Sequence, residues 1–188
     1  MENSRLKNSA LNFASGFLGR ALTILLNFAV RTIFIYCLNE AYLSVNGLYS
    51  NILTVLSLAE LGFGSAMVYR MYAPVAVKDY QKAAALLQFY KKIYIIIGVV
   101  IFLLGLCVIP FMDYIIKDKP DISGLTLYYI LFLVNTSISY WFSSYKASVL
   151  YADQKEYIKT NVQNTMAILQ SGLQIVLLLL FRKYLLYL

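Results

Sequence analysis

Long apolar runs dominate the chain, and each is about as long as a bilayer-crossing helix. Roughly 20 helical residues cross the hydrocarbon of a membrane. Five stretches meet that requirement: residues 16–38, 46–71, 93–112, 124–150 and 164–181. The segments between them differ in character. Residues 39–45 predict a short turn without Lys or Arg. Residues 72–92 carry Lys78, Lys82, Lys91 and Lys92 around an apolar patch at 83–87, which predicts an amphipathic interfacial helix running into the third span. Residues 113–123 are acidic on balance, with Pro120 breaking helix and Ser123 placed to cap the fourth span. Residues 151–163 predict a short polar helix extension. The first run is too long for a secretory signal and has no Ala-x-Ala end, so it reads as a retained first helix. The expected fold is an all-α membrane protein, a polytopic bundle of about five transmembrane helices forming one domain over residues 1–188.

Composition agrees with that pattern. Hydrophobic residues make up 61% of the chain and charged residues 13%, against roughly 45–50% and 25% in soluble domains. A water-soluble domain of this size has no interior large enough for so much apolar surface. The net charge of +7 does not point to nucleic acid, because the basic residues lie between apolar runs. They read as topology signals and membrane-surface contacts. Arg5, Lys7, Arg70, Lys78, Lys82, Lys91, Lys92, Lys146, Lys155 and Lys159 fall on the side of the N-terminus. Lys117, Lys119, Arg182 and Lys183 fall opposite. The positive-inside rule then places the N-terminus in the cytoplasm.

Polar residues inside the spans are the functional signal, since a charge at mid-membrane costs roughly 2.5–3.5 kcal/mol on insertion scales. In the first span Asn27 and Arg31 fall within about 20° of Arg20 around the helix. In the second, Asn46, Ser50, Ser57, Glu60 and Gly64 share an arc of about 80°. Matching depths in antiparallel spans makes Glu60–Arg20 the expected ion pair. Gly62, Gly64, Ser65 and Ala66 lie at the same depth and favour close helix packing over local unwinding. The fourth span aligns Tyr128, Asn135, Ser139 and Lys146; the fifth aligns Gln163, Gln170 and Gln174. The third has no polar stripe. It is therefore expected to be peripheral, with spans one, two, four and five around a polar interior. The candidate cavity residues are Arg20, Asn27, Arg31, Ser57, Glu60, Asn135, Gln170 and Gln174.

Catalytic chemistry has little to stand on. Histidine is absent, which removes the commonest general base and metal ligand. No P-loop, H-E-x-x-H or nucleophile elbow occurs. Cys37 and Cys107 lie in apolar runs without C-x-x-C spacing and read as small packing residues. Neither an enzyme nor a bound metal or cofactor is expected. Many of the 17 tyrosines sit at span ends, as in interfacial belts.

The runs NGLYSNIL and SLAELGFGSAMVY, with Tyr72-Ala-Pro-Val-Ala76, Phe89-Tyr-Lys-Lys-Ile-Tyr94 and the later YADQKEYI, resemble a known family. They look like the second span and first cytoplasmic loop of bacterial polysaccharide exporters, the oligosaccharide flippases of the multidrug/oligosaccharidyl-lipid/polysaccharide superfamily. The resemblance implies twelve to fourteen helices in two pseudo-symmetric bundles. The chain would then be the N-terminal part, with the second bundle supplied by more of the same chain or by another subunit. It implies translocation of undecaprenyl-diphosphate-linked oligosaccharide across the bacterial plasma membrane by alternating access, for cell-surface polysaccharide synthesis. Arg20 and Arg31 would contact the diphosphate. The alternatives are a multidrug or small-cation exporter of the same architecture, a membrane enzyme with its site elsewhere, and a non-catalytic assembly subunit.

Overall fold

A computed structural model describes residues 2–60, 62–115, 122, 124–142 and 144–188. All regular structure among them is helical. Helix α1 spans Glu2–Leu38, α2 Glu40–Ser57, α3 Phe63–Ala76, α4 Tyr80–Val108, α5 Met112–Ile115, α6 Leu125–Phe142, α7 Ala147–Ala152, α8 Glu156–Phe181 and α9 Tyr184–Tyr187. Short 3₁₀ turns cover Leu58–Glu60, Ile109–Phe111 and Ser144–Lys146. Four helical stretches are long and apolar enough to cross a membrane: Lys7–Leu38, Tyr80–Phe111, Leu125–Ala152 and Glu156–Phe181. Large apolar side chains point outward along them, including Phe13, Phe17, Phe28, Leu169, Leu173 and Leu180. Water does not tolerate so continuous an apolar surface; lipid does. The coarse architecture is a helical bundle of the multi-pass membrane type.

The stretch expected as the second span is not one helix. It divides into α2 and α3 at a 3₁₀ turn followed by Gly62, whose φ of 86° is left-handed. Glycine adopts that conformation without a Cβ penalty. The glycine-rich segment therefore unwinds the chain, correcting the expectation that it only packs. Past Ser57 the helical periodicity no longer applies, so Glu60 and Gly64 leave the stripe assigned to them. The expected turn at 39–45 shrinks to Asn39, which has φ 92° and accepts a hydrogen bond from the Ala41 amide at 2.6 Å. The interfacial segment does run unbroken into the third span: α4 starts at Asp79, whose carboxylate caps the Lys82 amide at 3.0 Å. The acidic segment 116–121 and the Ser123 cap lie outside the described residues.

Two units pack side by side. In one, α4 and α6 run antiparallel, meeting where Gly98 faces Trp141 and Gly105 faces Leu133. Tyr129 closes this contact by donating to the Gly105 carbonyl at 3.0 Å. Helix α2 joins at one end, where the buried Tyr49 donates to the Leu125 carbonyl at 2.9 Å. Helices α3 and α7 join at the other, around Met67, Met71, Tyr90, Tyr94 and Tyr145. The third span is thus central to this unit, not peripheral: its small residues let α6 approach closely. The second unit is the pair α1 and α8. Asn12 meets Tyr157, Gly19 meets Asn164, and Phe34 packs with Leu178. Equal steps along both helices mean that they run parallel.

These contacts carry a stability prediction. Gly98→Val and Gly19→Val each force a side chain into occupied space and should cost about 1–3 kcal/mol. Gly172, with nothing within 4 Å of an added Cβ, should accept Ala within about 0.5 kcal/mol. Unfolding in detergent checks all three; equal effects at Gly98 and Gly172 would contradict the packing described.

Candidate functional site

The two units touch at their ends and separate between. At the end where α1 finishes, Phe34, Tyr128, Tyr184 and Tyr187 form an aromatic cluster, with Tyr128 and Tyr184 ring centroids 4.7 Å apart. The cluster brings α6 against α1 and α8. It forms because the chain turns back after α8 at Arg182, in the left-handed conformation, and lays α9 across the gap. Gln174 donates to the Tyr187 carbonyl at 3.1 Å and holds that fold-back. At the opposite end Asn12 ties α1 to the α7–α8 turn. It accepts from the Tyr157 amide at 2.7 Å and donates to the Gln154 carbonyl at 3.1 Å.

Between those ties lies a cavity of about 1290 Å³. That exceeds the roughly 300–1,000 Å³ of common small-molecule pockets. Its walls are the first half of α3, Tyr94 of α4, the α6–α7 bend and the start of α8. Four tyrosines, Tyr69, Tyr72, Tyr94 and Tyr151, face it. So do two cations, Lys146 and Lys159, and two carboxylates, Glu60 and Glu156.

Glu60 occupies the helix break. Its Oε1 accepts a hydrogen bond from Tyr94 at 2.6 Å. Tyr140 stacks on Tyr94 at 6.2 Å and stands beside both Glu60 and Ser57. Ser57 itself donates back to the Leu53 carbonyl at 2.8 Å. The expected Glu60–Arg20 ion pair is not formed among the described residues. Arg20 belongs to the other unit, and the unwound segment turns Glu60 toward α4.

The lysines differ in their ties. Lys155, in the α7–α8 turn, is bound to Asp153 at 2.7 Å. That hydrogen bond, and then the carboxylate's charge, raise the Lys155 ammonium above its ordinary value. Lys159 donates to the Tyr151 hydroxyl at 2.6 Å and sits 4.7 Å above its ring. Lys146 lies 5.8 Å from the Tyr145 ring. Among the described residues no ion pair neutralises Lys146 or Lys159.

The remaining sequence candidates fall into two places. Arg20, Asn27 and Arg31 are exposed on α1, about 90° around the helix from Gly19 and Val30 in the α8 contact. Gln163, Gln170 and Gln174 lie about 80° from the buried Ser171 on α8. Because the helices are parallel, these rotations carry both stripes to the same side of the pair. The six residues alternate in height over about 20 Å at 1.5 Å rise per residue, and Gln163 reaches the cavity wall. Asn135 is exposed on α6, on the stripe joining Tyr128 of the aromatic cluster to Ser139 of the cavity. Sequence reasoning missed Tyr94, Tyr140, Lys159 and Glu156 as site residues. Tyr94 carried a usable signal, being the one tyrosine of the apolar run 93–112.

A double-mutant cycle with Tyr94→Phe and Glu60→Gln should return a coupling energy of about 0.6–1.7 kcal/mol, the range of membrane hydrogen bonds. Additive effects in detergent unfolding would remove Glu60–Tyr94 as a structural contact.

Compared with protein-family models, curated proteins and solved structures, the chain gives no match.

Proposed function

We propose that the chain forms one bundle of a flippase that moves lipid-linked oligosaccharide across a bacterial plasma membrane. The observation that carries this reading is the polar ladder on α1 and α8, which leads from the cavity along the membrane normal. Its members are Arg20, Asn27, Arg31, Gln163, Gln170 and Gln174. Two exposed arginines cost several kcal/mol against lipid. Against a water-filled groove or a second bundle they cost little, so the ladder implies that lipid does not cover that side. Guanidinium matches a diphosphate through its planar fork, and amides match sugar hydroxyls. The prenyl tail stays in the bilayer throughout. No covalent step is needed.

In this reading the second span crosses as a broken helix, giving five crossings, with the N-terminus and the cavity mouth in the cytoplasm. The aromatic cluster closes the outer end, so the conformation is open inward. A second bundle, from further chain or another subunit, completes the groove. Rocking of the bundles then exposes it to each side in turn. A small-cation exporter is the second reading. It is favoured by Glu60, a carboxylate facing the cavity at a helix break, and by Arg20 and Arg31 lying outside that cavity.

The test is translocation of a fluorescent lipid-linked oligosaccharide by the complete protein in liposomes. Arg20→Gln with Arg31→Gln should lower the rate at least tenfold, about 1.4 kcal/mol, with membrane insertion unchanged. Wild-type rates in the double variant would rule out the cationic ladder. Expulsion of a cationic dye without oligosaccharide transport would favour the exporter.

A further inference from the structure

We propose that Lys146 and Lys159 form a docking site for the diphosphate of a prenyl-diphosphate lipid at the cavity mouth, separate from the arginine ladder. The proposal rests on the flippase reading and adds an order to it: the lysines bind first, in the inward-open state, and the arginines act during passage. Neither Arg20 nor Arg31 lines the cavity in this conformation, whereas both lysines do. An anion entering the cavity therefore meets the lysines before Arg20 or Arg31.

The local chemistry suits a phosphate. An ammonium has three donors. Lys159 uses one on the Tyr151 hydroxyl, at 2.6 Å, and the ring below it steadies the cation at 4.7 Å. Two donors are left for a ligand. Lys146 is exposed, with the Tyr145 ring 5.8 Å away. The neighbouring basic residue is taken, since Lys155 is bound to Asp153 at 2.7 Å. Of the two cavity carboxylates, Glu60 is engaged by Tyr94 at the inner end. Glu156, the first residue of α8 and one turn before Lys159, lines the same cavity and opposes an anion there. Tyr69 and Tyr72 expose their rings on the facing wall of α3, at 76% and 45% of full exposure. They offer flat apolar faces to the first sugar attached to the diphosphate.

The experiment measures farnesyl diphosphate binding to the complete protein in phosphatidylcholine nanodiscs, with uncharged farnesol as the control. Lys146→Gln with Lys159→Gln should weaken diphosphate binding at least tenfold, and Lys146→Arg with Lys159→Arg should retain it. Arg20→Gln with Arg31→Gln should change it less than twofold. If the lysine-to-glutamine protein does not fold, Glu156→Gln carries the test: it should tighten binding about threefold, as for a single screened charge pair. Unchanged binding in the lysine variant, or in Glu156→Gln, overturns the site. Equal competition by phosphatidylglycerol also overturns it, since the site would then serve any anionic lipid. Lysine-dependent binding without oligosaccharide translocation would leave the site standing and sink the flippase reading instead.

Discussion

A backbone in hydrocarbon has no water to satisfy its amides and carbonyls, so it stays helical unless protein or a wet space meets the break. The interruption between Ser57 and Phe63 obeys that constraint. It opens beside the cavity, where Glu60 is turned toward Tyr94 and Tyr140. The second interruption, the α6–α7 bend at Ser144–Lys146, lines the same cavity. Two departures from regular helix, distant in sequence, meet at one polar space. The third 3₁₀ turn, Ile109–Phe111, falls at the end of α4, away from that cavity.

The same constraint explains how the two units are joined. Contacts between α1–α8 and the other helices concentrate at the two ends, where the chain turns and side chains reach backbone groups. Asn12 reaches the α7–α8 turn at one end, and Tyr128 packs on Tyr184 at the other. Between the ends lies the cavity, and Arg20, Asn135 and Gln170 stay exposed. A dry interface with exposed Arg20, Asn135 and Gln170 would leave buried donors without partners. A hydrated one does not.

Much of this was legible in the chain. Run lengths predict the helical membrane architecture, and a rotation of 100° per residue predicts the stripes of α1 and α8; the fourth-span stripe holds from Tyr128 to Ser139 but loses Lys146, which lies past the end of α6 in the 3₁₀ turn Ser144–Lys146. Those features depend only on local helix geometry. What was not legible depended on positive φ or on long-range contact. Gly62 reads equally well as a packing glycine or a hinge, and only its conformation decides. Asn39 absorbs a whole turn in one residue at φ 92° and ψ 163°, a strained conformation held by its side-chain bond to the Ala41 amide. The partner of Glu60 was misjudged because depth matching assumed a straight second helix. The third span was misjudged for another reason: Gly98 and Gly105 are seven residues apart, a packing signal that uniform apolarity hides.

The two ties differ in kind, and that difference bears on motion. The Asn12 tie is a pair of hydrogen bonds to backbone at a turn; it fixes α1 to α8 and leaves the α3 wall free to move against them. In the aromatic cluster Phe34 and Tyr128 pack edge-on to Tyr184, Tyr187 stacks on Tyr184 and meets Phe34 edge-on, and one amide bond from Gln174 reinforces it. Such ring pairs contribute about 0.5–1.5 kcal/mol each. A handful of them is strong enough to hold one end shut and weak enough to be exchanged for contacts with a bound ligand or a second bundle. Were the closed end built like the α4–α6 contact, with glycines against side chains over two turns, opening it would mean dismantling a core. The chain thus places close-packed glycine seams within each unit and joins the two by ring contacts at one end.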